Sequence, residues 1–177
     1  MTRSIDLDKF HDAVKLEIAD NFPTVSTVED YDTDRKDLMA PAILIELVDM
    51  EADPDSDPGT EQLAVVSKWV ARIIMSFRTE NVKREIRKFA AALGVLVHQN
   101  RWSMQMGPAQ VTYIGPDAFS PELDKYEVWA VEWDQQIDLG QSVWTGEGVT
   151  PDRVMIGYAP KIGPGQEGDY SEVGGDS

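Results

Sequence analysis

Tyr126–Leu139, YEVWAVEWDQQIDL, is the stretch whose reading decides the fold. On an extended strand successive side chains point to opposite faces, so Trp129, Val131, Trp133 and Ile137 share one face and Glu132 falls on the other. That alternation predicts a half-buried strand with an aromatic inner face. Immediately upstream, Ala109–Ile114 reads as a second strand, joined to it by a Gly/Pro-rich loop around Gly115–Pro121.

Moving outward, residues 80–99 give the clearest helix signal. At roughly 100° per residue, Val82, Ile86, Phe89, Ala90, Leu93, Leu96 and Val97 fall on one arc, and Lys83, Arg84, Arg87 and Lys88 fall on the opposite arc. Glu61–Phe77 fits two patterns. Val65, Trp69, Ile73 and Phe77 recur at helical spacing and also share one face of a strand. The pairs Val65-Val66 and Ile73-Ile74 favour a long, bulged strand. Ala42–Glu51, AILIELVDME, is apolar on both faces until its acidic end, as an interior strand would be. The two pair as a hairpin around the turn-rich DPDSDPG, residues 53–59. A first amphipathic helix runs from about Asp6 to Asn21 through Phe10, Val14 and Ile18, capped by Asp6 or Ser4 and ended by Phe22-Pro23. A short strand follows at Thr24–Asp30.

The fold expected from this order is α+β: an antiparallel or mixed sheet of four to five strands packed by two amphipathic helices. It occupies residues 1–140, with residues 141–177 as an extended C-terminal arm rich in Gly, Pro and acids. An arm with so few apolar residues should not fold alone. Its anchors, Trp144, Val154, Ile156 and Tyr158, are therefore expected to pack on a neighbouring copy.

The chain has 177 residues, no cysteine and a formal net charge of −16. Cysteine-ligated metals and disulfides are thereby excluded, and a surface that grips nucleic-acid phosphates is disfavoured. MTRSIDLDKF carries no apolar signal core, and no apolar run reaches membrane-span length, so a soluble cytosolic protein is expected. The charge is segregated. Glu46–Asp57 holds six acids and no base, whereas Lys68–Lys88 holds seven of the sixteen bases. Head-to-tail packing of identical copies would use such segregation, and two solvated faces would also produce it.

Catalytic and metal patterns fail on inspection. Asp53-x-Asp55-x-Asp57 begins like a calcium loop, but Pro58 stands at the required glycine and Ala64 at the bidentate glutamate. His11 and His98 cannot hold a metal by themselves, and the helix dipole explains a histidine near a helix C-terminus. No serine sits in a GxSxG turn, and the glycines of 157–168 contain no GK[ST]. No catalytic residue, metal or cofactor is expected.

In element order, and in the closing strand's W-x-V-x-W-x-Q, the chain resembles the tail terminator proteins of long-tailed bacteriophages, of the siphophage and Mu-like kind. PAILIELVDME, WVARIIMSFRTENVKREIRKFAAAL and YEVWAVEWDQQIDLG carry the likeness, which covers Leu7–Gly140. The resemblance implies a virion protein, assembled in the host cytoplasm, that forms a ring, a hexamer, on the head-proximal end of the tail. That ring stops tube polymerisation and meets the tail tube protein below and the head-completion or neck protein above. DNA passes through its lumen without specific binding, and no membrane, reaction or cofactor is implied. The acidic loop Glu51, Asp53, Asp55 and Asp57 and the basic stripe Arg78, Lys83, Arg84 and Arg87 are the candidate partner-binding residues, with Trp144 and Tyr158 on the arm. Another neck or tail tube component is the nearest alternative reading. A small cytosolic enzyme or ligand-binding domain, its site in the C-terminal region, is the alternative from another class.

Overall fold

A computed structural model describes residues 5–32, 38–117, 126–143 and 154–173. The fold is α+β, with two helices packed on a five-stranded mixed sheet and a separate small two-stranded sheet. The chain divides into two compact units, Met1–Trp144 and Thr145–Ser177.

In the first unit the elements are α1 (Leu7–Asn21), β1 (Thr27–Asp30), β2 (Ala42–Ala52), β3 (Leu63–Ser76), α2 (Val82–Val97), β4 (Gln110–Pro116) and β5 (Tyr126–Leu139). The sheet order is β1-β2-β3-β5-β4, with β1 parallel to β2 and every other pair antiparallel. β3 and β5 form the centre, paired without interruption from Leu63↔Leu139 to Ser76↔Tyr126.

Both helices lie on one face, where they bury the aromatic side of β5 as its alternation predicts. Trp69 pairs with Trp133 across the ladder, their rings nearly parallel with centroids 5.9 Å apart. Phe10, Val14 and Ile18 of α1 and Ile86, Ala90, Leu93 and Val97 of α2 close over them. Trp102, from the loop after α2, tilts against Trp133 at 6.0 Å. The opposite face carries a smaller apolar patch of Ala42, Leu44, Ile74 and Val128, flanked by Tyr31, Leu38 and Tyr126. That second patch is why β2 reads as apolar on both sides in its first half.

Three sequence expectations are corrected. The bulge expected in β3 lies instead in its neighbours: the register shifts between Leu47 and Asp49 in β2 and between Val111 and Tyr113 in β4. β3 stays regular because it is hydrogen-bonded on both sides, whereas an inserted residue is absorbed where a strand can bend. Phe77, expected on the inner face with Val65, Trp69 and Ile73, lies beyond the strand and is exposed. The first strand begins at Thr27 rather than Thr24, because Val25 and Ser26 are occupied in hydrogen bonds to Phe22 and Pro41.

Asp6 is the cap of α1, its carboxylate accepting from the backbone N–H groups of Asp8 and Lys9 at 3.1 and 3.3 Å. The hydrogen bond from the Lys9 backbone is the main reason its carboxyl titrates below the ordinary aspartate range.

In the second unit β6 (Met155–Ile156) pairs antiparallel with β7 (Ser171–Glu172). The intervening chain is fastened locally, with Gly163 N–H donating to the Tyr170 hydroxyl at 2.9 Å and Lys161 pairing with Asp169 at 3.1 Å.

Candidate functional site

The acidic loop forms the tip of the β2–β3 hairpin. Two of its carboxylates shape the turn: Asp53 accepts from the Ser56 hydroxyl at 2.7 Å, and Asp57 accepts from Gly59 N–H at 2.8 Å. Glu51 pairs with Lys68 at 2.7 Å, a hydrogen bond that raises the Lys68 ammonium. Asp55 projects into solvent from the one-turn 3-10 segment Pro54–Ser56. The tip also reaches the end of β5, where burial pushes the Asp138 carboxyl up and the charge of Asp57 adds to the effect. Hence the loop is a braced acidic knuckle.

The basic stripe starts at the other end of β3. Arg78 lies just past the strand, and Lys83, Arg84 and Arg87 project from the exposed face of α2. Arg87 sets its guanidinium over the Trp129 ring, 5.7 Å from its centroid. Lys88, the fifth base here, is held by Glu85 at 2.8 Å. Arg78, Lys83 and Arg84 have no ion-pair partner among the described residues. Two acids of the Glu46–Asp57 run pair within the copy, Glu51 with Lys68 and Glu46 with Arg72, whereas Arg78, Lys83 and Arg84 stay apart from the hairpin tip.

Trp144 lies outside the described residues. Tyr158 belongs to the second unit and is 75% exposed, and Val154 and Ile156 are exposed beside it.

Two polar clusters escaped the sequence reading. On the helix-covered face, buried Gln135 accepts from the Trp102 indole at 2.9 Å and donates to the carbonyls of Asn100 and Gly107 at 3.2 and 2.7 Å. This one amide pins the loop between α2 and β4. The Q of W-x-V-x-W-x-Q was its only trace in the sequence. On the opposite face, Arg72 bonds Glu46 at 2.6 Å and Asp117 at 2.8 Å, with its guanidinium 4.4 Å from the Tyr31 centroid. Burial works against its charge, but the two carboxylates outweigh that and raise the guanidinium. Glu46 and Asp49 share this face only because the bulge at Val48 shifts the alternation by one residue.

A shallow groove of about 840 Å³ runs between α1 and β1, lined by Asp12, Lys15, Leu16, Val28, Asp30 and neighbours. Lys15 reaches Asp30 at 2.7 Å and Asp12 at 3.2 Å, and His11 Nδ1 lies 3.2 Å from Asp30. Partial burial of Asp30 opposes ionisation, but the hydrogen bonds from Lys15 and His11 prevail and lower its carboxyl. Among the described residues no three His, Asp or Glu side chains converge as a metal site would require. No helix among them is long and apolar enough to cross a membrane. No protein-family model and no curated protein matches the chain.

Proposed function

We propose that the chain is the tail terminator of a long-tailed bacteriophage. It assembles as a ring, a hexamer, at the head-proximal end of the tail tube, stops tube polymerisation and presents a docking surface to the head-completion proteins. The observation that carries this reading is the position of the two charge clusters. The acidic hairpin tip precedes β3 and the basic cluster follows it, and β3 has 14 residues. At ~3.3 Å per strand residue the hairpin tip and Arg78 stand roughly 40 Å apart at opposite ends of β3, while Glu51 beside Val66 and Arg87 over Trp129 lie nearer one another. A subunit that sits between two different partners, one at each end, has a use for oppositely charged ends.

The braced geometry of the tip supports the same reading, since its Asp carboxylates hold a fixed shape while Asp55 stays outward. The net charge of −16 suits a ring whose lumen lets DNA slide, because acidic walls repel phosphate.

Native mass spectrometry and negative-stain imaging of the full chain test the proposal. The expected result is a closed ring with a central hole that binds the open end of purified tail tubes. A protein that stays monomeric at all concentrations, and neither binds tube ends nor limits tube length, overturns it.

A further inference from the structure

β1 is an edge strand, with no strand beyond it among the described residues. It lies parallel to β2 in the register Thr27↔Ala42 to Asp30↔Ile45. Just after it, the Tyr31 N–H donates to the Ile45 carbonyl at 2.8 Å. Backbone groups along a strand alternate between its two edges. Glu29 therefore faces β2 as Tyr31 does, and the N–H and C=O groups of Val28 and Asp30 face away from the sheet.

The α1–β1 groove lies along that open edge. Val28, Glu29 and Asp30 all border it, although consecutive side chains of a strand point to opposite faces. A single space touched by all three runs beside the strand rather than over one face. Its other wall is one side of α1, Asp12, Leu16 and Ala19 at i, i+4 and i+7, with Leu16 64% exposed. At ~1.5 Å per helical residue this wall is about 10 Å long, the span of roughly three strand residues.

The chemistry of the groove selects what can fill it. Leu16, Ala19 and Val28 give it an apolar floor. Asp12, Glu29, Asp30 and Asp32 line it against one ammonium among the described residues, Lys15, which already pairs with Asp12 and Asp30. The other edge strand, β4, reads QVTYIGP and carries no charge, so a second copy's edge does not answer these acids. An open strand edge accepts an extended chain, and the surrounding carboxylates favour basic side chains on it.

We infer that β1 and α1 form a strand-addition site for an extended segment of another protein, one that alternates apolar and basic residues. Its backbone extends the sheet through Val28 and Asp30. Its apolar side chains turn toward α1, where Leu16 and Val28 lie, and its basic ones toward the Glu29 side. The surface uses neither the hairpin tip nor the basic stripe, so it goes beyond the ring reading and stands or falls separately.

The capped peptide Lys-Val-Lys-Val-Lys-Val-Lys probes the site on the full chain, read by calorimetry and by amide NMR with hydrogen exchange. One-to-one binding is expected, with the Val28 and Asp30 amides protected and the signals of residues 12–19 shifted. The Glu-Val counterpart is expected not to bind, and added salt to weaken the Lys-Val peptide. Methylating the peptide's backbone nitrogens should weaken it by about tenfold or more, since main-chain hydrogen bonds carry strand addition. Val28→Pro should do the same, because it removes an outward N–H and leaves the ladder to β2 in place. Leu16→Lys, at an exposed position that leaves β1 unchanged, should weaken binding by about fivefold through like-charge contact. The inference is overturned if the Lys-Val peptide shows no saturable binding. It is equally overturned if binding ignores N-methylation and both substitutions, which would leave an acidic surface only. Self-association of the chain that Val28→Pro abolishes would put a second copy on this edge and overturn the assigned partner.

Discussion

The two compact units of this chain handle apolar side chains in opposite ways. In Met1–Trp144, three tryptophans, Trp69, Trp102 and Trp133, are almost wholly buried beneath two helices. In Thr145–Ser177, Val154, Met155, Ile156, Tyr158, Ile162 and Val173 are all exposed. The difference follows from how much pairing each sequence supports. β3 and β5 pair along 14 residues, long enough to carry a continuous inner face that two helices can cover. β6 and β7 pair through two residues each, no α-helix of the second unit accompanies them among the described residues, and a lone two-stranded sheet is marginal in water. Local hydrogen bonds to Tyr170 and Asp169 take the place of a core. Order in the first unit comes from burial, and in the second from turns.

The largest test of that contrast is Trp133→Ala, which should destabilise the first unit by about 3–5 kcal/mol in a denaturant melt. Trp133→Phe should cost much less, because the buried indole N–H has no acceptor among the described residues and its loss removes no hydrogen bond there. Equal costs for the two variants would show that the N–H matters.

Gln135→Ala comes next, at about 2–3 kcal/mol, since it strands the Trp102 indole and two carbonyls together. Hydrogen exchange should rise in residues 98–109 before it rises in β3. Uniform exchange would mean that the amide does not pin this loop.

A smaller effect, of opposite sign, is expected from Asp138→Asn. The folded state raises this carboxyl through burial and the charge of Asp57, so its ionisation costs stability above its folded pKa. The substitution should stabilise the unit by under ~1 kcal/mol near neutral pH. The gain should vanish as pH falls through the carboxylate range, where the native side chain protonates. A pH-independent gain would place the cause outside titration.

The smallest effect belongs to the second unit. Ile156→Ser should move the melting of the first unit by less than about 0.5 kcal/mol, the range for surface substitutions. A shift as large as that of Gln135→Ala would erase the contrast between the units.

Element order, a cap at Asp6 or Ser4 and the inner face of β5 were legible in the sequence, because they depend on period and local hydrogen bonding between near neighbours. The candidate surfaces were legible as charge runs, but not as places. Nothing local told that β3 would hold the acidic tip and the basic stripe at its two ends. Residues 61–77 fitted both periods, and the Val65-Val66 and Ile73-Ile74 pairs favoured the strand that pairing with β2 and β5 bears out.

By itself the sequence determined the α+β class, both amphipathic helices and the segregation of charge, since side-chain order and covalent spacing dictate each. Only the tertiary structure decided that both helices share one face, that the bulges fall in β2 and β4, and that Gln135 fastens a loop 28 residues away at Gly107. Those outcomes depend on contacts between distant segments. Burial and hydrogen-bond satisfaction choose such contacts among many alternatives that local preference leaves equal.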